Sequence, residues 1–223
     1  MDVVEAITSR HSVRAFLPTP VPLGTVERII EAAVRAPSSG NLQPWKVHVV
    51  AGETKERFSQ AILAAREVED HLYVAEYQDY PEEWREPYDQ RRRTVGKLLY
   101  STIGIPKGDR EAMWAQFGRN YTFFGAPVGL LFTIDRDMGV GSWFDVGMFI
   151  QNVMLLARAE GLDTCAQGAF ALYHKIAREV VGVSELEIVM CGMSLGYADT
   201  GAPENNFPTE RAPLEEFATF SGF

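Results

Sequence analysis

The chain has 223 residues, 46% hydrophobic and 23% charged, enough to bury a sizeable core in one large domain or two small ones. Its 21 lysines and arginines against 30 acids give a formal net charge of -9, which argues against a nucleic-acid-binding surface overall. Two cysteines, Cys165 and Cys191, and an N-terminus with early acids and no long apolar block point to a reducing, cytoplasmic setting, and no stretch approaches the roughly 20 apolar residues of a membrane span.

In chain order, Asp2 to Ser9 reads as a short helix with Val3, Val4 and Ile7 on one face. Prolines 18, 20 and 22 keep the following segment extended. Leu23 to Arg35 is helical, with Val26, Ile29, Ile30, Ala33 and Val34 in one stripe, and Pro37 closes it. Trp45 to Ala51 is a strand ended by Gly52, and Thr54 opens a polar-faced helix to Glu67 as its N-cap. Residues 69–92 change character, rich in aromatics and charges, and read as an irregular excursion. Helices are expected over Arg91 to Tyr100 and Asp109 to Tyr121. The apolar run VGLLFTID after Pro127 reads as a strand buried on both faces. Ser142 to Glu160 is the strongest helix, capped by Ser142, ended by Gly161 and apolar nearly all round, as in a core or a subunit interface. A helix over Leu172 to Val181 and a strand over Glu187 to Ser194 follow, and the last 25 or so residues are extended. About three strands among six or seven helices make an α+β domain with helices around a modest sheet.

Three short stretches carry candidate chemistry. SRHSVR, Ser9 to Arg14, is either a solvated basic turn or a phosphate clamp built on the forked donors of Arg10 and Arg14 with the Ser12 hydroxyl. PSSGN, Pro37 to Asn41, either closes a helix or offers donors to a polar heterocycle, whose edge Asn41 and Gln43 can meet with both donors and acceptors. CAQGAF, Cys165 to Phe170, is either a tight loop or a place where Gly168 lets backbone approach a planar ligand. Four histidines without metal spacing speak against zinc, and the absence of G-x-G-x-x-G and G-x-x-x-x-G-K-[ST] against a dinucleotide fingerprint and a P-loop.

Taken together, SRHSVRAF, P-S-S-x-N-x-Q-P-W, FFGAPVGLLF, the helix WFDVGMFIQNVMLLARAEGLDT with CAQGAF after it, VMCGMSLGY and the late arginine of PTERAPLEEF resemble the nitroreductase family of FMN-dependent oxidoreductases, in order and over nearly the whole chain. The resemblance implies one nitroreductase-like domain over 1–223 with a variable excursion at about 69–115. It implies an α+β fold with a central, mostly antiparallel sheet surrounded by helices, in an intertwined homodimer whose swapped C-terminal tail wraps the partner and whose FMN lies at the interface. Carried over by position, Arg10, Ser12 and Arg211 would hold the phosphate and ribityl chain, with His11 beside them. Arg14 would place a cation near the pyrimidine edge of the ring, where it would stabilise negative charge on the reduced flavin. Pro37, Ser38, Ser39 and Asn41 would come from the other subunit, and Gln43 and Asp145 belong to the same expected cofactor-binding set. Ala166, Gln167 and Gly168 would lie along the isoalloxazine, with backbone N–H groups facing it. Thr209 stands where many members carry a lysine, so Arg91, Arg92 or Arg93 is expected to supplement the phosphate charge.

The activity the resemblance implies is electron transfer from NAD(P)H to nitroaromatics, quinones or related acceptors by a ping-pong cycle in which the flavin does the chemistry and no side chain is a nucleophile. The same scaffold also supports reductive dehalogenation or flavin breakdown, and a non-catalytic flavin sensor is the rival of another class. Tyr73, Tyr77, Tyr80, Trp84 and Tyr88 either line a lid or cover the surface of the excursion; Trp84, Tyr88, Phe123 and Phe124 are the candidate acceptor contacts.

Overall fold

The structure, a computed structural model, describes residues 1–223. Its sheet has four strands, β1 (Trp45–Ala51), β2 (Val128–Asp135), β3 (Asp163–Gln167) and β4 (Glu187–Gly196), in the order β1-β2-β4-β3 with every pairing antiparallel. The helices are α1 (Val3–Ser9), α2 (Leu23–Ala33), α3 (Gly52–Glu69), α4 (Tyr88–Thr102), α5 (Arg110–Gly118), α6 (Val140–Ala159) and the three-residue α7 (His174–Ile176).

Helices cover both faces of the sheet, and β2 shows why its sequence is apolar without alternation. Leu131 enters one core with Val13, Phe58, Ile62, Tyr121, Phe123 and Phe170, while Leu130 and Phe132 enter the other with Val26, Ile29, Phe149, Val153 and Met193. Trp45 stacks on Phe149 of α6 with ring centroids 5.0 Å apart.

The first core is floored by two glycines. A Cβ on Gly129 of β2 would lie 2.4 Å from the Phe123 ring, and one on Gly192 of β4 would lie 2.2 Å from Phe170. Their absence lets the two rings stack at 4.5 Å directly over the strands. Phe123 and Phe124 adopt left-handed backbone (φ 53° and 54°) in a turn over Arg119–Gly125, and both are buried. They are core residues, which corrects their expected place at the acceptor; the cost of the left-handed turn is offset by the aromatic burial it permits.

Local boundaries differ from the sequence expectation for identifiable reasons. Gly52, with φ 53°, begins α3 instead of closing β1, so Ala51 rather than Thr54 stands at the N-cap. α4 begins at Tyr88, and α6 at Val140 after Gly139, leaving Ser142 inside the first turn and buried. α5 stops at Gly118, which packs so tightly on Arg66 that a Cβ would lie 2.6 Å from Nη1. The expected helix over 172–181 is a 3₁₀ turn, the single turn of α7 and a π turn, ended by Gly182 at φ 84°.

α6 is long and apolar enough to cross a membrane, which amends the expectation that no such segment exists. Only one face of it meets the core, through Val146, Phe149, Val153 and Ala157; Val140, Phe144 and Met148 are exposed.

The strand missed by sequence is β3. DTCAQ is short and poor in β-branched residues, so nothing local distinguishes it from a loop. It is a strand because it pairs with β4 on one side and with the segment after α1 on the other, through a parallel bridge between Ser12 and Thr164 and a bond from Val13 N to the Thr164 carbonyl (3.1 Å).

Replacing Gly192 by alanine forces its Cβ into Phe170 and should lower unfolding stability by about 1–3 kcal/mol in chemical denaturation, the range for overpacking a tight core.

Candidate functional site

The bridge to β3 sets SRHSVR at the edge of the sheet, and the tail returns to meet it. Asn205 is buried and binds the N-terminal segment on both sides: its Oδ1 accepts from Arg14 N (2.7 Å) and its Nδ2 donates to the Ala15 carbonyl (2.8 Å). A cavity of about 60 Å³ forms there, lined by Arg10, His11, Ser12, Arg14, Arg211 and Thr209 among others. It opens beside a groove of about 750 Å³ that shares Arg10, His11 and Arg211.

The electrostatics of this cavity run against the charge of the chain. Its one carboxylate, Glu204, is taken by Arg119, which also donates to the Arg14 carbonyl (3.1 Å). Arg14 donates to the Ser12 carbonyl (3.2 Å), and Arg211 folds back onto Thr209 Oγ1 (2.9 Å). None of Arg10, Arg14 and Arg211 has an ion-pair partner. Three unpaired guanidinium groups and a hydroxyl facing one cavity are donors suited to a phosphate. Arg91, Arg92 and Arg93 line neither this cavity nor the groove: Arg91 pairs with Glu216, and Arg92 and Arg93 with Asp89 (3.0 and 2.7 Å). Arg91 does share a neighbouring cavity with Thr209, the position where many members carry a lysine.

β3 runs from this cavity, and its burial pattern singles out Ala166 as exposed between buried Cys165 and Gln167. The Gln167 side chain is fully occupied. Its Oε1 accepts from Ser194 Oγ (2.7 Å) and its Nε2 donates to the Asn120 carbonyl (2.7 Å), leaving only backbone to face a ligand. Gly168 is exposed at the end of the strand.

PSSGN lies elsewhere. Pro37, Ser38, Ser39, Asn41 and Gln43 line neither the arginine cavity nor the groove beside it. They form an exposed turn in which Gly40, Asn41 and Gln43 all have positive φ (57°, 57° and 50°). Ser38 Oγ accepts from Gln43 N (3.0 Å), and the buried Asp145 of α6 accepts from Ser39 N (3.2 Å). Asp145 therefore anchors this turn and does not reach the arginine cavity. Two non-glycine residues held left-handed cost about 1–3 kcal/mol each, strain of a kind that collects at ligand sites.

The excursion after α3 is stitched down over β4. Glu76 pairs with Arg136 (2.7 Å) and Arg178 (2.8 Å) and lies 3.4 Å from His174 Nδ1. Burial pushes the Glu76 carboxyl up, but these two arginines outweigh it and hold it below its ordinary value; burial lowers His174. Tyr77 donates to the Met190 carbonyl and packs edge-on against Trp143, and burial raises its phenol. The chain is thereby carried to the end of β3, where Asp79 Oδ2 lies 3.3 Å from the position a Gly168 Cβ would take. Farther along, Tyr80 and Trp84 pack together, Arg92 covers Trp84, and half-exposed Tyr88 lies under Arg85 and Arg91. Tyr73 sits against Tyr173, on the core side. Asn205 and Asp79 had no signal in the sequence, because each matters only through backbone it meets far along the chain.

Residues 7–197 match the nitroreductase family. The chain is 38% identical over 216 residues to the nitrobenzene nitroreductase of Ectopseudomonas oleovorans, covering 97% of this chain and 95% of that one. It is 38% identical over 222 residues to the 4-nitrobenzoate reductase of Pseudomonas putida, covering 100% and 96%. Among solved structures, the FMN and NADPH-dependent nitroreductase NfnB from Sphigopyxis sp. strain HMH superposes with a TM-score of 0.97 at 40% identity, covering 100% of both chains. The FMN-dependent NfnB from Mycobacterium smegmatis in complex with NADPH gives a TM-score of 0.93 at 30% identity, over 98% and 97%.

Gln167→Glu would aim a carboxylate at the Asn120 carbonyl where an N–H now donates. The folded state then disfavours the charged form and raises the new carboxyl, so the destabilisation, about 1–3 kcal/mol, should be full at neutral pH and fade as pH falls toward ~4. Denaturation curves at pH 4 and 7.5 measure it.

Proposed function

The chain belongs to the nitroreductase family, and from that premise we propose that it is an FMN-dependent oxidoreductase taking electrons from NAD(P)H and delivering them, in a ping-pong cycle, to nitroaromatics, quinones or related acceptors. The observation that carries this reading is the convergence of unpaired Arg10, Arg14 and Arg211 with Ser12 on one cavity in an otherwise acidic protein. That donor set fits a phosphorylated cofactor, and exposed Ala166 and Gly168 at the end of β3 fit a flat ring. Bound FMN supplies the hydride-accepting and electron-donating chemistry.

The protein's part is binding, orientation and electrostatics. Arg10, Ser12 and Arg211, with His11 at the rim, would hold the phosphate end. Arg14 would set a fixed positive charge toward the ring. Ala166, Gln167 and Gly168 would offer backbone to the ring, with Gln167 locked by Ser194 and Asn120 so that the strand end keeps its shape. Tyr88 and Trp84, on the excursion, would contact the acceptor.

The split placement of PSSGN supports a homodimer in which Pro37, Ser38, Ser39, Asn41 and Gln43 of one chain complete the site of the other. Exposed Val3, Val4 and Ile7 of α1, Phe144 and Met148 of α6, and Phe217, Phe220 and Phe223 of the tail supply the apolar surface such an association would bury. A reductase drawing on NAD(P)H works where that donor is regenerated, which supports a cytoplasmic, soluble protein.

The purified protein should be yellow, bleach under NADPH without oxygen, and recover its colour on addition of nitrobenzene. Arg10→Ala and Arg211→Ala should each weaken FMN binding roughly ten- to a hundredfold, the loss of one charge-assisted contact. Unchanged FMN affinity in both would refute the phosphate assignment. Light scattering should give a mass twice that of one chain.

A further inference from the structure

We propose that Asp79 makes the acceptor site select by charge, favouring neutral nitroaromatics and quinones over those that carry a carboxylate. The inference rests on the reading that the flavin lies along Ala166–Gly168, and it adds a determinant of acceptor choice within that site.

Three observations carry it. First, Asp79 is at the site: its Oδ2 lies 3.3 Å from where a Gly168 Cβ would be, at the exposed end of β3. Second, it is held there. Glu76, three residues before, is clamped by Arg136 and Arg178, and Tyr77, two before, donates to the Met190 carbonyl. Met190 lies two residues before Gly192, the partner of Gln167 in the sheet, so the Tyr77 bond holds the segment close to the end of β3 where Asp79 meets Gly168. The charge is felt locally: burial pushes the Cys191 thiol up to about 12, and the Asp79 carboxylate adds to that rise. Third, the charge is uncompensated. Asp79 is exposed and has no ion-pair partner, while Arg91, Arg92 and Arg93 farther along the chain are paired with Glu216 and Asp89. Glu82, Glu83 and Glu86 follow it on the same excursion against the single cation Arg85, which lies on the Tyr88 ring, so the net charge there stays negative.

An acceptor lying on the ring beside Gly168 would hold any carboxylate within several ångströms of Asp79. At the effective dielectric of a partly exposed site, like charges at that range cost about a tenfold change in binding or rate. A neutral amide of the same shape does not meet this cost.

The test compares the holoenzyme with Asp79→Asn and Asp79→Glu. Because Asp79 has no structural partner, both variants should fold and keep FMN. Benzoate and benzamide are titrated into the oxidised enzyme and followed by perturbation of flavin absorption; kcat/KM is measured for 4-nitrobenzoate and 4-nitrobenzamide. The wild type should bind benzamide more tightly than benzoate. Asp79→Asn should improve benzoate binding and 4-nitrobenzoate turnover by about tenfold while moving the amides less than twofold, and Asp79→Glu should behave as the wild type. A yellow enzyme active on 4-nitrobenzamide whose acid-to-amide ratio is unmoved by Asp79→Asn overturns the inference alone. A colourless protein, or one inert toward 4-nitrobenzamide, overturns the functional reading and the inference with it.

Discussion

The pairing of Ser12 and Val13 with Thr164 is the contact from which the site is built. It adds an irregular N-terminal segment to the outer edge of the sheet, and it fixes the register so that Val13 enters the core, fully buried, while its half-buried neighbours Ser12 and Arg14 line the arginine cavity. Burial of that one valine is worth about 1.5–3 kcal/mol, enough to hold two arginines and a serine where their own solvation would let them wander. Asn205 repeats the device from the other direction, using a buried amide to lash the tail to the same segment. Without the edge pairing, neither the guanidinium cluster nor the exposed face of β3 has a fixed relation to the other.

Charge is distributed with the same economy. A chain of net charge -9 keeps three arginines free of carboxylates at one cavity by committing Glu204 to Arg119 and by sending the arginines of α4 to Asp89 and Glu216. The surface that results is positive at the arginine cavity and negative, through Asp79, at the end where β3 meets the excursion. A cofactor with an anionic tail and a neutral ring fits such a gradient in one orientation only.

The excursion owes its order to ionic and hydrogen-bonded clasps more than to a core of its own. Glu76 and Tyr77 tie its first half to β4, and aromatic and arginine side chains stack along the second. Such a segment accepts sequence change without cost to the sheet beneath it. The arginine cavity, by contrast, is tied to the edge of the sheet itself.

Much of this was legible in the sequence. The spans of β1 and β2, the helix that became α6 and the arginine-serine cluster after α1 all declare themselves through apolar periodicity or the clustering of donors, which are properties of neighbouring residues. β3 did not, since DTCAQ becomes a strand only by what pairs with it. Phe123 and Phe124 looked available as aromatics and are buried in the core, Phe123 in space that Gly129 opens on a strand and stacked on Phe170 over Gly192. Nor could spacing show that Asn205 would bind Arg14 across 191 residues, or that a clasp at Glu76 would bring Asp79 to Gly168. Local pattern sets which segments can be helix or strand and which side chains can carry charge; the pairing of distant backbone, satisfied only in the folded chain, decides which of those side chains share a site.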